Sequence, residues 1–220
     1  VLNMPTLTDE NGIYVLHLGG DEDRLTVEVL SDLEAALKAV AAAPAPLITV
    51  GDGKFFSNGL DVEWMRANPV VAPAYSARVR ALLADFLTLP VPTVAALNGH
   101  TFGAGAFLAM AHDWRIMRSD RGYLCFPEVD IQMVFAKGTS SLIQSKLTPR
   151  TALDAMSTGH RYRGEEAHAV GLVDGTASEA ALLETARERV AGLIGKHADT
   201  LGGIKSTMYS EVASQLRGTA

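Results

Sequence analysis

The sequence predicts an α/β fold whose last third is helical, on three observations. Short runs of β-favouring residues alternate with helically spaced apolar stretches, glycine-containing turns follow several of those runs, and everything beyond Lys137 reads as helix. At 220 residues and 48% hydrophobic content, the chain is long enough to bury ~70% of its unfolded surface in one core.

Ile13-Tyr-Val-Leu-His-Leu18 is short, apolar and closed by Gly19-Gly20, which predicts a strand. Val27 to Ala43 carries apolar residues at 29, 30, 33, 36, 37 and 40, a helical spacing that Pro44 and Pro46 end. Ser31 and Glu34, three apart near its start, form a candidate capping box. Leu47 to Val50 is the next strand, followed by the turn Gly51-Asp-Gly53. Ala74 to Leu89 reads as a helix stopped before Pro90 and Pro92, and Thr93 to Leu97 as a buried strand running into Asn98-Gly99. A helix from Ala104 to about Ala111 starts directly from a glycine-rich turn, and Arg115–Arg118 and Tyr123–Phe126 are short strands. Thr148-Pro149 opens a later helix, the hydroxyl capping and the proline at the first helical position. Glu179 to Lys196 and Ile204 to Leu216 are polar helices with one apolar face. Pattern alone would place these strands in one doubly wound sheet.

With 19 Lys+Arg against 25 Asp+Glu, the net charge of −6 argues against a nucleic-acid partner. The single cysteine, Cys125, reads as a buried thiol of a reducing compartment. Phe86 to His112 lacks Asp, Glu, Lys and Arg, but its prolines and glycines fit a buried strand-turn-helix better than a membrane span. The start Val-Leu-Asn-Met carries no signal-peptide pattern and Gly218-Thr-Ala220 is no SKL-type address. The expected setting is cytoplasmic, or a peroxisomal or mitochondrial matrix if a targeting segment has been trimmed.

Gly103-Ala-Gly105 fails the dinucleotide fingerprint because Leu108 stands at the third glycine, and Gly53-Lys54 lacks the rest of a phosphate-binding loop. The six histidines show neither HExxH nor a Cys/His cluster, so no metal site is expected. Ser57 lacks the glycine that a nucleophile elbow requires. Two segments remain, Phe56-Ser-Asn-Gly-Leu-Asp61 and Asn98-Gly-His-Thr-Phe-Gly-Ala-Gly105, each a strand, a glycine turn and a helix start. Unpaired N–H groups at such turns attract negative charge, which makes Gly59-Leu60 and Gly103-Ala104 either tight packing points or donors to an enolate oxygen. Glu128 follows an apolar run and Pro127; desolvation there would raise its pKa and fit it to accept a proton from carbon.

Those two segments, with Phe126-Pro-Glu-Val-Asp-Ile131 and Glu166-Ala-His-Ala-Val-Gly-Leu-Val-Asp174, stand in the order and spacing of the crotonase family of enoyl-CoA hydratases and isomerases. The chain resembles that family from about Ile13 to Leu216. The resemblance implies a spiral of ββα units forming two roughly perpendicular sheets, with a core over residues 1–147 and a helical C-terminal region over 148–220 that builds a homotrimer or a dimer of trimers. It implies an acyl-CoA thioester as substrate and no permanently bound cofactor.

By the same resemblance the oxyanion hole falls at the N–H groups of Leu60 and Ala104. Of the two glutamates a hydratase employs, the second matches Glu128 and the first is replaced by Phe107. One carboxylate with an oxyanion hole is similar to the Δ3,Δ2-enoyl-CoA isomerases, in which it carries a proton from C2 to C4. The extra aspartate of dienoyl-CoA isomerases would stand at Ala136. Ser57, Asn58, Gly59, Asp61 and Gly103 are expected around the substrate, Phe107 against the acyl group, and Lys54 and Lys205 on CoA phosphates. The acyl pocket is expected between Trp64 and Leu87. Alternatives are a hydratase or thioester hydrolase using Asp130 as a second group, or a silent acyl-CoA-binding protein.

Overall fold

The computed structural model describes residues 4–219. The outermost terminal residues, on which the targeting expectation partly rests, lie outside them. Strand β1 (Thr6–Asp9) pairs antiparallel with β2 (Tyr14–Gly20), and helix α1 (Val27–Ala42) follows. From there the chain repeats one pattern: a strand, a second short strand, then helix. The first pass is β3 (Leu47–Asp52), β4 (Phe55–Ser57), α2 (Val62–Ala67) and α3 (Ala72–Leu87). The second is β5 (Thr93–Leu97), β6 (His100–Phe102) and α4 (Ala104–Ala111); the third is β7 (Trp114–Arg118), β8 (Leu124–Cys125) and α5 (Lys137–Lys146). Helices α6 (Pro149–Thr158) and α7 (Gly164–Ala169), strand β9 (Gly175–Ala177), and helices α8 (Leu182–Ala191), α9 (Ala198–Met208) and α10 (Ser210–Arg217) complete the chain.

The two strands of each pass go to different sheets. β1-β2-β3-β5-β7-β9 form one sheet, parallel beyond β1, and β4-β6-β8 form a second, parallel one. This replaces the single doubly wound sheet of the pattern reading with the ββα spiral that the resemblance implies. The larger sheet buries both faces, which explains why its strands are near-continuous apolar runs. Leu16, Leu47, Ala95, Leu97 and Met117 face the main core with α1, α3 and α4, while Val15, Ile48, Val94, Ala96 and Ile116 face Leu182, Ala186 and Val190 of α8.

Several local expectations change. Helix α1 is capped by Thr26, whose hydroxyl accepts the Val29 N–H. Ser31 instead donates to the Val27 carbonyl and Glu34 pairs with Arg78, so no capping box forms. The Thr148 cap and the proline after it stand as expected. The helix expected over Ile204–Leu216 is two, α9 and α10, meeting at Tyr209, and α10 packs back on α3 and α5. Among the described residues, no helix is long and apolar enough to cross a membrane. Cys125 is buried, and its thiol donates to the Gly159 carbonyl at 3.3 Å.

Candidate active site

The first turn leaves β4 and is stitched from behind. Ser57 is fully buried; its hydroxyl donates to the Asp23 carbonyl at 2.6 Å and accepts the Gly59 N–H at 3.1 Å. The Gly59 carbonyl accepts from Leu25 N–H at 2.9 Å, and Asn58 N–H donates to the Glu22 carbonyl at 2.8 Å. Asp61 caps α2 by accepting the Trp64 N–H, while its own N–H donates to the Tyr75 hydroxyl. Leu60 is thereby fixed between two anchored neighbours, and its N–H has no acceptor among the described residues.

The second turn carries β6 into α4. Gly103 adopts φ +52, ψ −120, a conformation open to glycine, and its N–H donates to the Cys125 carbonyl at 3.2 Å. Ala104 is the first residue of a helix buried along its whole length, so its N–H has no intrahelical acceptor. The two turns touch. Gly59 has φ +80, and a Cβ there would sit 2.9 Å from Ala104 N and 2.9 Å from Phe102 O.

Beside them lies Glu128, placed by Pro127 after β8. It is 7% exposed, and Oε2 has no partner among the described residues. Burial pushes its carboxyl up to about 7, opposed only by a hydrogen bond from its own backbone. Oε1 lies 3.9 Å from where a Cβ on Gly103 would be, so the acid and the second turn share one space. That space is a cleft of about 1050 Å³ lined by Leu60, Gly103, Ala104, Phe107 and Glu128 together with the apolar face of α3. Phe107 stacks on Phe126 at 5.9 Å between ring centroids and meets Phe135 at 6.0 Å, an aromatic wall that leaves little for water to bind.

The structure thus brings Leu60, Ala104, Gly103, Asn58, Phe107 and Glu128 to one cleft. It corrects three expected ligand contacts. Ser57 and Asp61 spend their side chains on the turn itself. Lys205 is 5% exposed and held by Asp113 at 2.6 Å and the Val91 carbonyl at 2.7 Å, away from any phosphate. Lys54 is exposed, 5.4 Å from the Phe55 ring centroid, and is not among the residues lining the cleft. Asp130 is exposed and its carboxylate lies against Gly159, so it offers Glu128 no second acid. Arg24, Arg66, Arg80 and Arg161 line the cleft and were not expected there. For Arg24 a signal existed: loops leaving the C-terminal ends of parallel strands gather at one edge, and Arg24 follows β2.

Comparison with known proteins decides the family. The family model described as enoyl-CoA hydratase/isomerase matches residues 9–219. The chain belongs to that family. Among its relatives, enoyl-CoA delta isomerase 1, peroxisomal, of Arabidopsis thaliana is 36% identical over 184 residues, covering 81% of this chain and 77% of its own. Enoyl-CoA delta isomerase 3 of the same plant is 33% identical over 231 residues, covering 99% and 97%. Among solved structures, human mitochondrial delta3-delta2-enoyl-CoA isomerase superposes with a TM-score of 0.90 at 22% identity, covering 96% of this chain and 85% of that one. At that identity the likeness speaks for the crotonase fold alone, and as a family member the chain carries that fold throughout.

Proposed function

We propose that this member of the enoyl-CoA hydratase/isomerase family is a Δ3,Δ2-enoyl-CoA isomerase serving fatty-acid β-oxidation. The observation that carries the reading is a buried carboxylate in the cleft, Glu128, whose Oε2 has no partner among the described residues, set beside two main-chain N–H groups without acceptors there. The thioester carbonyl of a 3-enoyl-CoA lies between Leu60 N–H and Ala104 N–H. Glu128 takes a proton from C2, the electron pair delocalises over the thioester and the double bond, and the dienolate oxygen is held by the two donors. The same carboxyl then returns the proton to C4, leaving the 2-enoyl thioester. No water and no cofactor enters the balance.

The isomerase names of the relatives support the same reaction. Phe107 separates this reading from hydration: it fills the position of a hydratase's first glutamate, and the other carboxylate lining the cleft, Glu63, is exposed on α2. Arg24 and Asn58, which line the cleft beside Leu60, are the contacts for the CoA, Lys54 is a contact from outside the lining, and the functional unit is a homotrimer or a dimer of trimers. Incubation with 3-hexenoyl-CoA is the test. Formation of the conjugated 2-enoyl thioester, lost in Glu128→Gln, supports the reading; conversion that survives in Glu128→Gln overturns the role of the acid.

A further inference from the structure

Six arginines of the described chain are buried or half-buried: Arg24, Arg78, Arg80, Arg115, Arg118 and Arg187. Five of them lie on carboxylates, respectively Glu22, Glu34, Asp174, Asp120 and Glu10, and Arg80 is the sixth. Among the described residues it has no carboxylate, no hydrogen-bond acceptor and no aromatic ring against its guanidinium, and it lines the cleft. A half-buried arginine on the wall of a cleft that takes no acceptor from the protein is available to an anionic ligand.

Its place on α3 says which part of a ligand it meets. Tyr75 fastens the start of that helix to the first turn through Asp61 N–H and the Leu25 carbonyl. The other end runs to α10, where Asp85 meets Arg217 at 2.7 Å, and α10 lies against Gly138 of α5. Arg80 is five residues past Tyr75, about 7.5 Å along the axis toward α5. Val79 and Leu83 flank it on the helix, and Phe107, Phe135 and Thr139 line the same cleft, whereas Arg24 sits at the first turn, donating to the Leu60 carbonyl at 2.9 Å. Methylene groups suit those walls, and a guanidinium among them suits an anion at the end of the chain.

We propose that the acyl group accepted here ends in a carboxylate, so that the substrate is the mono-CoA thioester of an unsaturated dicarboxylic acid, and that Arg80 reads the far carboxylate as a planar two-donor partner. The orientation of the ligand rests on the function proposed above. Arg66, the neighbouring cation of the cleft, is exposed and hydrated and has no such need of an acceptor.

The experiment measures equilibrium binding of saturated acyl-CoA thioesters, methyl-ended against ω-carboxylated at equal length, over a series of lengths. Lacking the double bond, these ligands report binding whatever the enzyme's reaction. The wild type binds the ω-carboxylated member about tenfold tighter once the chain reaches Arg80, Arg80→Met removes that preference, and Arg80→Lys retains part of it. No preference at any length, a preference unchanged in Arg80→Met, or one lost in Arg66→Met but kept in Arg80→Met overturns the proposal. Failure to convert 3-hexenoyl-CoA, with the Arg80-dependent preference intact, overturns the isomerase reading and leaves this one standing.

Discussion

Glu128 is held where its charge is expensive, and its chemistry follows from that. With its carboxyl pushed up to about 7, it is half ionised near neutrality, when a proton acceptor is required. kcat/KM for a 3-enoyl-CoA therefore rises with pH through a midpoint near 7, and a profile flat from pH 5 to 8 contradicts the assignment. Stability moves the other way. The unfolded carboxyl ionises near 4.5, below the folded value, so the native state loses relative stability as pH climbs from about 4.5 to about 7 and then levels off. Glu128→Gln removes that penalty: it costs about 10²–10⁴-fold in rate while stabilising the fold at pH 8 by at most about 3 kcal/mol, and by little at pH 4. Thermal melts at the two pH values check the sign. Glu128 was legible in sequence because an acid after an apolar run and a proline is locally odd. Ser57 and Asp61 were misread because what engages them, the Asp23 carbonyl and the Trp64 N–H, is set by backbone conformation that no residue type announces.

Among elements, the decisive ones are short. β4, β6 and β8 have three, three and two residues, too few for an alternating pattern to register, and the three-stranded sheet was therefore legible only through the family resemblance. The longer pieces, β3, β5, α1 and α4, were readable from composition and spacing because their apolar faces repeat. The turns between short strand and helix set the proposed donors, and there Gly59 carries the constraint. Gly59→Ala imposes a side chain at φ +80 and drives a methyl to 2.9 Å from Ala104 N, pressing the two turns apart. A loss of about 1–3 kcal/mol in denaturant unfolding is expected, with kcat falling far more than KM rises. A variant folding and turning over like the parent would show that the turns tolerate separation.

Across the whole molecule, the successive ββα passes bring segments distant in sequence, Gly59-Leu60, Gly103-Ala104 and Glu128, to one end of the parallel strands. The ion pair of Lys205 does not line this cleft. Lys205 of α9 reaches into the fold to Asp113 and the Val91 carbonyl, so Lys205→Met leaves a half-buried carboxylate without its cation. The expected cost is about 3–5 kcal/mol in unfolding, with KM for the CoA substrate unmoved. A raised KM at unchanged stability would return this lysine to the ligand. Distance is again what the sequence concealed: a lysine on a C-terminal helix reads the same whether it points inward or out.

The atoms that would hold the developing negative charge are peptide nitrogens, and one of them already belongs to an alanine. Systematic alanine substitution would therefore pass over half of the proposed charge-stabilising pair and report on Glu128 alone. Replacing the amide linkage preceding Ala104 by an ester, which deletes one N–H and leaves every side chain in place, is the intervention that would weigh it.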